Sequence, residues 1–579
     1  MQKINIKEII ESKAPDFFAK NSSFKNKILL KILNKFLKVD EINNFLEIYN
    51  DRDGIEFING VFEFLNVKYV ISKEDISKIP SEGKLIIVSN HPLGGLDGLA
   101  LISTIYSVRK DVKIVANDVL LQISNIKNFI LPVDLYSLKM QRIQLQNIEN
   151  ALNNDEAIIF FPSGKVSRLY PNGISDGKWY NGAIKFSSKL EVPILPVYID
   201  ARNSILFYLM SLIHTKIGMF MLPQELFRKK NSEFKIKIGE LIPGNTLKNS
   251  SLKPKILAKL LKQHTYKIGK DKPGIFLTEK TIIHPVPQEL LEKELKKNKL
   301  LGITYDNKEI YLVEYDKGEN ILKEISRLRE LTFRKVGEGT GKNCDMDIYD
   351  LYYKHIVLWD SSERAIVGSY RLGETKQILE KYGIRGLYNS SQFYLKENFI
   401  PILNQSIEVG RSFIQPKYWR SNALDFIWQG IGAYLSEYRE IKYLWGAVSI
   451  SDSYSELAKG LIISYYRKWY NSDKKFVEPI EEYQISKKIQ LEVNSYLNGS
   501  SHKEDLKNLK NALKNIGFSI PVLYRKYTDI THYGGSKFLS FCVDVHFNNS
   551  IDGLILVDLN HLKEEYKERY YNTRSFVNK

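Results

Sequence analysis

The first half of the chain is organised around the stretch LIIVSNHPLGGLDG, which runs from Leu85 to Gly98. Four apolar residues at its start predict a buried strand, and the loop that follows carries His91 and Asp97 a few residues apart among glycines. A histidine oriented by a carboxylate is the base needed when a hydroxyl attacks an acyl group. The stretch therefore predicts a strand and a loop suited to O-acyl transfer, the alternative being a turn histidine that only caps a helix.

Apolar strands alternate with helical patterns from about residue 80 to residue 200, which is typical of the α/β class. The predicted strands are Leu85–Val88, Val112–Val115, Ala157–Phe161 and Ile194–Tyr198. A basic, weakly patterned region follows at 229–272, and the prolines of 284–287 then interrupt the pattern. We therefore predict a first domain over 1–285, helical up to about residue 80, and a second domain over 286–579. The second domain is predicted to open with a helix at Gln288–Lys297 and a strand at Glu309–Val313.

The composition narrows the classes of protein to consider. The 579 residues are enough for two or more domains, and a hydrophobic content of 43% is that of a folded protein. Two cysteines, Cys344 and Cys542, cannot form a disulfide framework and fit a reducing compartment. The net charge of +17 favours an anionic partner: nucleic acid, acidic lipid or an acidic carrier protein. Because the sequence has no zinc-finger spacing, basic zipper or RNA-binding signature, we expect no nucleic-acid partner.

Two segments are candidates for contact with a membrane. In Phe24–Lys38, apolar residues fall on one helical face and lysines on the opposite face, which suits an anionic bilayer and equally an ordinary surface helix. The segment Ile205–Ile213 is apolar but shorter than a membrane span, and it indicates either an interfacial or a buried helix. The start of the chain, Met1–Glu8, carries charges of both signs, so we expect no secretory signal there.

A second turn whose residues could bind a substrate follows the predicted strand Ala157–Phe161. Its residues of interest are Ser163, Gly164, Lys165 and Arg168. Exposed backbone donors and two cations suit a negatively charged acceptor, or the phosphopantetheine arm of an acyl donor, although basic residues after a turn are often simply solvated. Further along the chain, Val192–Tyr198 is a strand bracketed by prolines.

These three blocks, in this order, resemble the glycerol-phosphate acyltransferase family over roughly residues 80–200. That family has an Asn-His-x4-Asp loop, a Phe-Pro-Glu-Gly turn and a Val-Pro-Ile-x-Pro-Val strand. Here one extra residue separates His91 from Asp97, and Ser163 takes the place of the glutamate that helps bind glycerol phosphate. Both departures resemble the hemolysin-like and aminolipid O-acyltransferase branch. The resemblance implies that His91 removes the hydroxyl proton and that Asp97 orients the imidazole of His91. It also implies that the turn from Ser163 to Arg168 binds substrate.

The second half contains an ordered series of charged blocks. Its candidate residues are Arg329 and Phe333, then Asp345, Asp347 and Asp350, then Arg371, and finally Glu408 and Arg411. Carboxylates suit an amine and arginines suit a carboxylate, so together they suit a zwitterion. The alternative is a solvated acidic turn, with Glu408 in a buried ion pair with an arginine.

This order of blocks resembles the acyl-homoserine-lactone autoinducer synthases and the N-acyltransferases of ornithine-lipid synthesis, both in the GNAT superfamily, over about residues 310–460. The resemblance implies a GNAT-like α+β domain behind the α/β domain, with all eight residues around the site. It implies that Glu408 removes the amine proton, directly or through water; its other possible role is structural pairing with Arg371 or Arg411. It also implies that the donor thioester docks beside a splayed strand, with the pantetheine arm at the turn Phe413–Asn422.

An O-acyltransferase placed before an N-acyltransferase resembles the bifunctional synthases of aminolipids. The resemblance implies that the second domain transfers a 3-hydroxyacyl group from acyl carrier protein, or else coenzyme A, to an amino acid, with ornithine the first choice and glycine the next. The first domain then esterifies the new hydroxyl of the lyso-aminolipid. No bound cofactor or metal is implied, and the expected location is the cytoplasm, peripherally on an anionic inner membrane face. The alternatives are a phospholipid or lysophospholipid acyltransferase with an accessory GNAT module, a signal-molecule synthase, or a non-enzymatic hemolysin-like protein.

Overall fold

The computed structural model describes residues 5–13, 23–133 and 138–570. The chain divides into two compact units, Met1–Thr281 and Ile282–Lys579, called unit 1 and unit 2 below. The first residues of the segment used to predict the lack of a secretory signal, Met1–Ile4, lie outside the described range.

Unit 1 is built on a seven-stranded, mostly parallel sheet. Its strands are β1 (Lys68–Val70), β2 (Leu85–Ser89), β3 (Val112–Asn117), β4 (Ile130–Val133), β5 (Ala157–Phe160), β8 (Ile194–Asp200) and β9 (Glu233–Ile238), with β6 (Arg168–Tyr170) and β7 (Gly173–Ser175) forming a separate hairpin. Its helices are α1 (Ile6–Lys13), α2 (Ser23–Phe36), α3 (Val39–Ile48), α4 (Gly54–Leu65), α5 (Lys73–Ser77), α6 (Gly95–Tyr106), α7 (Leu138–Asn153), α8 (Gly182–Leu190), α9 (Ile205–Ile213), α10 (Thr215–Arg228), α11 (Gly244–Lys248) and α12 (Pro254–Gly269).

Strand β2 lies at the centre of this sheet and points toward the predicted O-acyl transfer loop. The strand order is β1-β9-β8-β2-β5-β3-β4, with β8 and β9 antiparallel and the other neighbours parallel. Leu85 and Ile87 pack into the core on one face, and Ile86 and Val88 into the core on the other. A strand buried on both faces is continuously apolar, which explains the run that opens the stretch. Its carboxyl end delivers His91 to the sheet edge where α/β proteins commonly bind ligands.

Unit 2 is built on an eight-stranded sheet in the order β10-β11-β12-β13-β15-β16-β19-β18. The strands are β10 (Lys299–Ile303), β11 (Glu309–Val313), β12 (Lys354–Asp360), β13 (Ala365–Glu374), β15 (Ser406–Ile414), β16 (Tyr443–Ile450), β18 (Ser536–Asp544) and β19 (Ser550–Asp558), while β14 (Phe393–Leu395) and β17 (Val477–Pro479) pair separately. The helices are α13 (Gln288–Leu295), α14 (Glu319–Val336), α15 (Thr375–Tyr382), α16 (Ile400–Leu403), α17 (Ala423–Glu437), α18 (Glu456–Trp469), α19 (Lys487–Tyr496), α20 (His502–Asn515), α21 (Val522–Asp529) and α22 (Glu564–Tyr570).

Strands β15 and β16 are parallel neighbours that part after three residues. Ser406–Glu408 pairs with Tyr443–Trp445, and no pairing continues between the described residues beyond them. Gly446 stands at the point of separation, where a Cβ would lie 2.0 Å from the carbonyl oxygen of Val409. The close approach of the two backbones therefore requires glycine at this position. The following residues of both strands face a cavity.

The fold class is confirmed: an α/β unit precedes a mixed α+β unit. The prediction of a weakly patterned region at 229–272 is wrong, because it holds β9 and the long helix α12. The lysines that conceal the pattern of β9 alternate with the buried residues Phe234, Ile236 and Ile238. The segment Ile205–Ile213 is a helix buried on one side only: Phe207 and Tyr208 lie in a core, whereas Ile205 is 77% exposed and Ile213 is 72% exposed. A fully buried core helix, one of the two predicted alternatives, is therefore wrong.

Candidate functional site

His91 and Asp97 come together at the start of α6. Nδ1 of His91 lies 3.0 Å from Oδ2 of Asp97, and the same oxygen accepts hydrogen bonds from the backbone N–H groups of Leu93 and Gly94. Asp97 is completely buried, and this burial raises its pKa, while His91 and the two N–H groups oppose the rise. Phe161 stacks on the imidazole with the ring centroids 4.0 Å apart. Since Asp97 engages Nδ1, Nε2 is the nitrogen available to a substrate.

The extra residue between histidine and aspartate is accommodated by Gly94. Its φ of +93° lies in the region that favours glycine, and it precedes the first residue of α6. Asp97 then occupies the third position of the helix, and its carboxylate caps the N–H groups of the loop. The longer spacing therefore still leaves Nδ1 and Oδ2 within hydrogen-bond distance.

Asp176, which the sequence did not single out, also holds the His91 loop. Its Oδ1 accepts from the backbone N–H of His91 at 3.2 Å and from the hydroxyl of Ser167, and its Oδ2 accepts from the indole N–H of Trp179. Asn90 exchanges two hydrogen bonds with the backbone of Ile199 on β8. Together these contacts fix the imidazole between two strands.

The predicted turn after β5 contains both buried and exposed residues. Ser163 is buried and donates to the backbone oxygen of Lys165, so its hydroxyl is used within its own turn. Gly164, at a φ of +61°, and Lys165 are exposed. Arg168 lies over the ring of Phe207 at 4.8 Å, and burial lowers its pKa. Nη1 of Arg168 donates to the backbone oxygens of Val166 and Ser167, and among the described residues Arg168 forms no ion pair with a carboxylate.

An apolar surface adjoins this turn. Helices α2, α9 and α10 meet in a small core that includes Phe36, Val166, Phe207 and Met221. Their outward faces carry exposed apolar side chains: Ile28 and Ile32 on α2, Ile205, Leu206, Leu209, Leu212 and Ile213 on α9, and Met219 and Phe220 on α10. No described helix is long and apolar enough to cross a membrane.

In unit 2, the buried Arg329 and Arg371 and the largely buried Arg411 form one network with three aspartates. Arg329 donates to both carboxylate oxygens of Asp350, at 2.8 and 2.6 Å. Arg371 bridges Asp347 and Asp350, at 2.7 and 3.1 Å. Burial pushes the pKa of Asp350 upward, but Arg329 and Arg371 hold it well below its ordinary value. The positive and negative charges of the network neutralise one another, and most of its side chains are engaged in ion pairs with other members of the network.

Arg411 links this network to a cavity of about 120 Å³. Its Nη1 lies 3.4 Å from Oδ2 of Asp345, and its Nη2 donates to the hydroxyl of Tyr388 at 3.1 Å. The residue has a φ of +50°, rare for a side-chain-bearing residue, beside a shift in the register between β13 and β15. Of the eight predicted residues, Arg411 and Phe333 line the cavity, and the other six do not.

Glu408 is buried behind the cavity wall rather than on it. Its carboxylate accepts from the hydroxyl of Tyr353, from the backbone N–H of Tyr388 at 3.2 Å, and from both the backbone N–H and the side-chain amide of Asn389, at 2.7 and 2.6 Å. Burial raises its pKa, and these donors oppose the rise. Neither Arg371 nor Arg411 forms an ion pair with it among the described residues. The geometry supports a positioning role, and proton removal by Glu408 stays a prediction.

The cavity lies where β15 and β16 part, between Val409–Ser412 and Ala447–Ser449. Its other walls include three acidic residues that the sequence did not single out: Glu338, Asp544 and Asp552. A carboxylate in an otherwise apolar strand, as in SIDGLILV at Ser550–Val557, is the signal that could have identified Asp552. Within the described residues, no group of histidine, cysteine and acidic side chains is placed to hold a metal ion.

Comparisons with known proteins find a different family in each half of the chain. An acyltransferase family model matches residues 8–271, and an acetyltransferase (GNAT) domain model matches 328–429. The chain is 30% identical over 305 residues to a glycine N(alpha)-acyltransferase of Bacteroides thetaiotaomicron, covering 50% of this chain and 90% of the relative. It is 30% identical over 274 residues to a lyso-glycine lipid O-acyltransferase of the same species, covering 46% and 97%. An L-ornithine N(alpha)-acyltransferase of Rhizobium meliloti is 29% identical over 117 residues, covering 18% and 37%.

Two sets of residues predicted to carry out acyl transfer, each on its own unit, thus lie within two matched families. The chain is an acyltransferase and belongs to the family of bifunctional aminolipid synthases, in which an O-acyltransferase domain precedes a GNAT N-acyltransferase domain.

Proposed function

We propose that the chain makes a glycine lipid in two successive acyl transfers. Unit 2 transfers a 3-hydroxyacyl group to the amine of glycine, and unit 1 esterifies the hydroxyl of the resulting lyso-lipid with a second acyl chain. The supporting observation is that one chain covers nine-tenths or more of two relatives whose names describe these two steps. The product of the first step is the substrate of the second step, because it carries the hydroxyl that the second step acylates.

Glycine replaces ornithine as the preferred headgroup in this proposal. The relative that acts on ornithine matches only 18% of the chain, whereas the relative that acts on glycine matches 50%. The cavity of about 120 Å³ is also small, and it lies between two strands whose backbones approach closely. A substrate without a side chain suits such a space better than one with an extended second amine.

His91 acts in unit 1 as the general base. Its Nε2 accepts the proton of the lyso-lipid hydroxyl while the oxygen attacks the carbonyl carbon of the donor thioester. The carbon–oxygen bond forms, the carbon–sulfur bond breaks, and the proton passes from His91 to the leaving thiolate. Asp97 keeps Nδ1 protonated and stabilises the transient imidazolium. Arg168, which has no carboxylate partner in the described structure, holds an anionic group of the substrate or donor.

The donor in both steps is an acyl group on acyl carrier protein, with coenzyme A as the alternative carrier. An acidic carrier suits the net charge of +17. In unit 2 the donor lies along the parted strands β15 and β16, and its arm approaches the turn between β15 and α17, which includes Trp419.

Unit 1 docks on an anionic membrane surface through α2, α9 and α10. The exposed apolar side chains of α9 and α10 stand beside the turn that carries Arg168. Lys27, Lys31 and Lys35 are exposed on α2. Apolar side chains that enter the headgroup region, flanked by lysines, are typical of interfacial binding. This surface places a lipid substrate next to His91, from a peripheral position on the inner face of the cell membrane.

The proposal is tested with the purified full chain, glycine, and 3-hydroxyacyl and acyl groups on acyl carrier protein. Mass spectrometry is expected to show N-(3-hydroxyacyl)glycine first and its O-acylated product later. Ornithine, supplied in place of glycine, is the control substrate. Preferential acylation of ornithine would overturn the headgroup, and formation of neither product would overturn the two-step function.

A further inference from the structure

The walls of the cavity in unit 2 carry both hydrogen-bond acceptors and a hydrogen-bond donor that have no partner in the described structure. Oδ1 of Asp552 and Oδ1 of Asn389 are buried and accept no hydrogen bond within the described structure, although both residues line the cavity. Nε of Arg411, also buried and on the cavity wall, has no acceptor there. Buried polar atoms are rarely left unpaired, because each costs free energy unless a ligand or partner satisfies it.

Asp552 is held by the side chain of Gln392, and the side chain of Ser449 also hydrogen-bonds to its carboxylate. The amide nitrogen of Gln392 donates to Oδ2 of Asp552 at 2.9 Å and also to Oδ2 of Asp544. Asp552 is 3% exposed and lies near the start of β19, opposite Ser449 of β16. Strands β16 and β18 pair with β19 on either side of this residue, and Oδ1 of Asp552 is a buried, unpaired acceptor on a residue that lines the cavity.

Asn389 is fixed in a similar way. Its side-chain nitrogen and its backbone N–H are both committed to Glu408. This assignment leaves its side-chain oxygen as an acceptor on the cavity wall. Glu408 therefore acts on the cavity indirectly, because it orients Asn389.

We propose that Asp552 and Asn389 bind the ammonium group of the acceptor amino acid, that Arg411 binds its carboxylate through Nε, and that Asp552 takes the proton that makes the amine nucleophilic. An ammonium has three N–H donors and needs acceptors, and a carboxylate needs donors, so the unpaired atoms match a zwitterion. The inference rests on the proposed N-acyl transfer and assigns its acceptor site to residues other than the Asp345–Asp350 network.

The proton balance of the step is complete. The ammonium gives one proton to the carboxylate of Asp552, and the free amine attacks the carbonyl carbon of the thioester. The carbon–nitrogen bond forms and the carbon–sulfur bond breaks. The second proton lost by the nitrogen goes to the leaving thiolate, and Asp552 releases its proton to solvent.

A carboxyl with an elevated pKa is a better acceptor for an ammonium proton than an ordinary aspartate. Burial, and next to it the charge of Asp544, raises the pKa of Asp552 to about 6. The other titratable groups that interact with it are Glu338, Tyr388, Arg411, Tyr524 and Cys542.

The test uses the full chain with Asp552→Asn, and Asp558→Asn as the matched control on the same strand. Asp558 lies at the end of β19, outside the cavity. Each protein is assayed twice: for N-acylation of glycine, and for O-acylation of a supplied synthetic lyso-glycine lipid. We expect Asp552→Asn to lower kcat/KM for glycine by about 100-fold or more and to leave O-acylation unchanged. Asp558→Asn is expected to change neither rate.

Each outcome has a distinct meaning. N-acylation by Asp552→Asn within about threefold of the wild type would overturn the inference, while the wild-type activity would still uphold the proposed function. No N-acylation by the wild type itself would overturn the proposed function instead. If Asp552→Asn loses both transfers, and so does not fold, the wild-type pH profile decides. The value of kcat/KM for glycine is then expected to fall as the pH drops through about 6, and a flat profile there would overturn the inference.

Discussion

Nδ1 of His91 and Oδ2 of Asp97 lie 3.0 Å apart, even though one more residue separates them than in the glycerol-phosphate acyltransferases that the loop resembles. Gly94 makes this possible, because its backbone turns through a φ of +93° before α6 begins. The same oxygen of Asp97 also accepts from two backbone N–H groups, so the carboxylate organises the loop as well as the imidazole.

Asp97→Asn is expected to reduce O-acyl transfer by about 100-fold or more. An amide oxygen at the same place can accept hydrogen bonds, but the amide lacks the negative charge that stabilises an imidazolium. N-acyl transfer is expected to be unaffected, so the lyso-lipid accumulates. Asp271→Asn, a change at a largely exposed position in the same unit, serves as the control. Diacyl product at the wild-type rate would remove Asp97 from the mechanism.

Gly446→Ala is expected to abolish N-acyl transfer and to leave O-acyl transfer intact. The new Cβ would meet the carbonyl oxygen of Val409 at 2.0 Å, so β15 and β16 must move apart where they now approach most closely. We expect a loss of about 1–3 kcal/mol in the free energy of unfolding of unit 2. The matched variant is Gly302→Ala, since a Cβ at Gly302 meets no atom within 4 Å. Equal N-acylation by both variants would contradict the importance of this close approach.

Asp552→Asn is expected to stabilise the protein above about pH 6. The pKa of Asp552 is raised from 3.8 to about 6 in the folded state, mainly by burial, so the folded protein binds its proton more tightly than the unfolded chain does. The stability that this proton contributes is present below pH 3.8 and is lost as the pH rises through about 6. Removing the charge therefore gains on the order of 3 kcal/mol at neutral pH and nothing in strong acid.

Thermal unfolding of wild type and Asp552→Asn across this pH range measures the difference. The expected result is a melting-temperature difference, variant above wild type, that grows between pH 3.8 and about pH 6 and stays constant above it, as for a residue kept for function at a cost in stability. A lower melting temperature of the variant at neutral pH would show that the Asp552 carboxylate is fully satisfied within the protein.

Leu209→Ser combined with Leu212→Ser is expected to weaken binding to anionic vesicles. Both side chains are more than half exposed on α9, so the substitutions remove apolar area from the docking surface without opening the core. Co-sedimentation with vesicles that contain an acidic phospholipid measures the change, and O-acylation of vesicle-borne lyso-lipid is expected to fall in parallel. The control is Leu491→Ser, because Leu491 is 74% exposed on α19 of unit 2. Unchanged binding by the double variant would place the membrane contact elsewhere.

The sequence predicted the elements that depend on local pattern and missed those that depend on long-range pairing. The apolar run of β2 identified a strand buried on both faces, and the histidine loop followed directly from it. Strand β9 was concealed because its exposed positions are lysines and a glutamate, which made the region look merely basic. Asp176 supports His91 from 85 positions away, and no local pattern marks such a partner.

The same distinction holds in unit 2. The charged blocks of the GNAT-like half were visible as motifs, but the sequence could not show that their aspartates neutralise their arginines. Nor could it show that the carboxylate of Glu408 accepts hydrogen bonds from Asn389. The apolar stretch around Asp552 marks it as unusual, but only the strand pairing places it beside β16, at the wall of the cavity.

The central claim is that this one chain carries out both steps of glycine-lipid synthesis, and lipid extracts from a heterologous bacterium without aminolipids test it most directly. Mass spectrometry of cells that express the intact chain is expected to show a diacylated glycine lipid, and cells that express His91→Ala are expected to accumulate the monoacylated lyso-lipid alone. Extracts of the intact chain without any glycine-containing lipid, or unchanged diacylated lipid from His91→Ala, would contradict it.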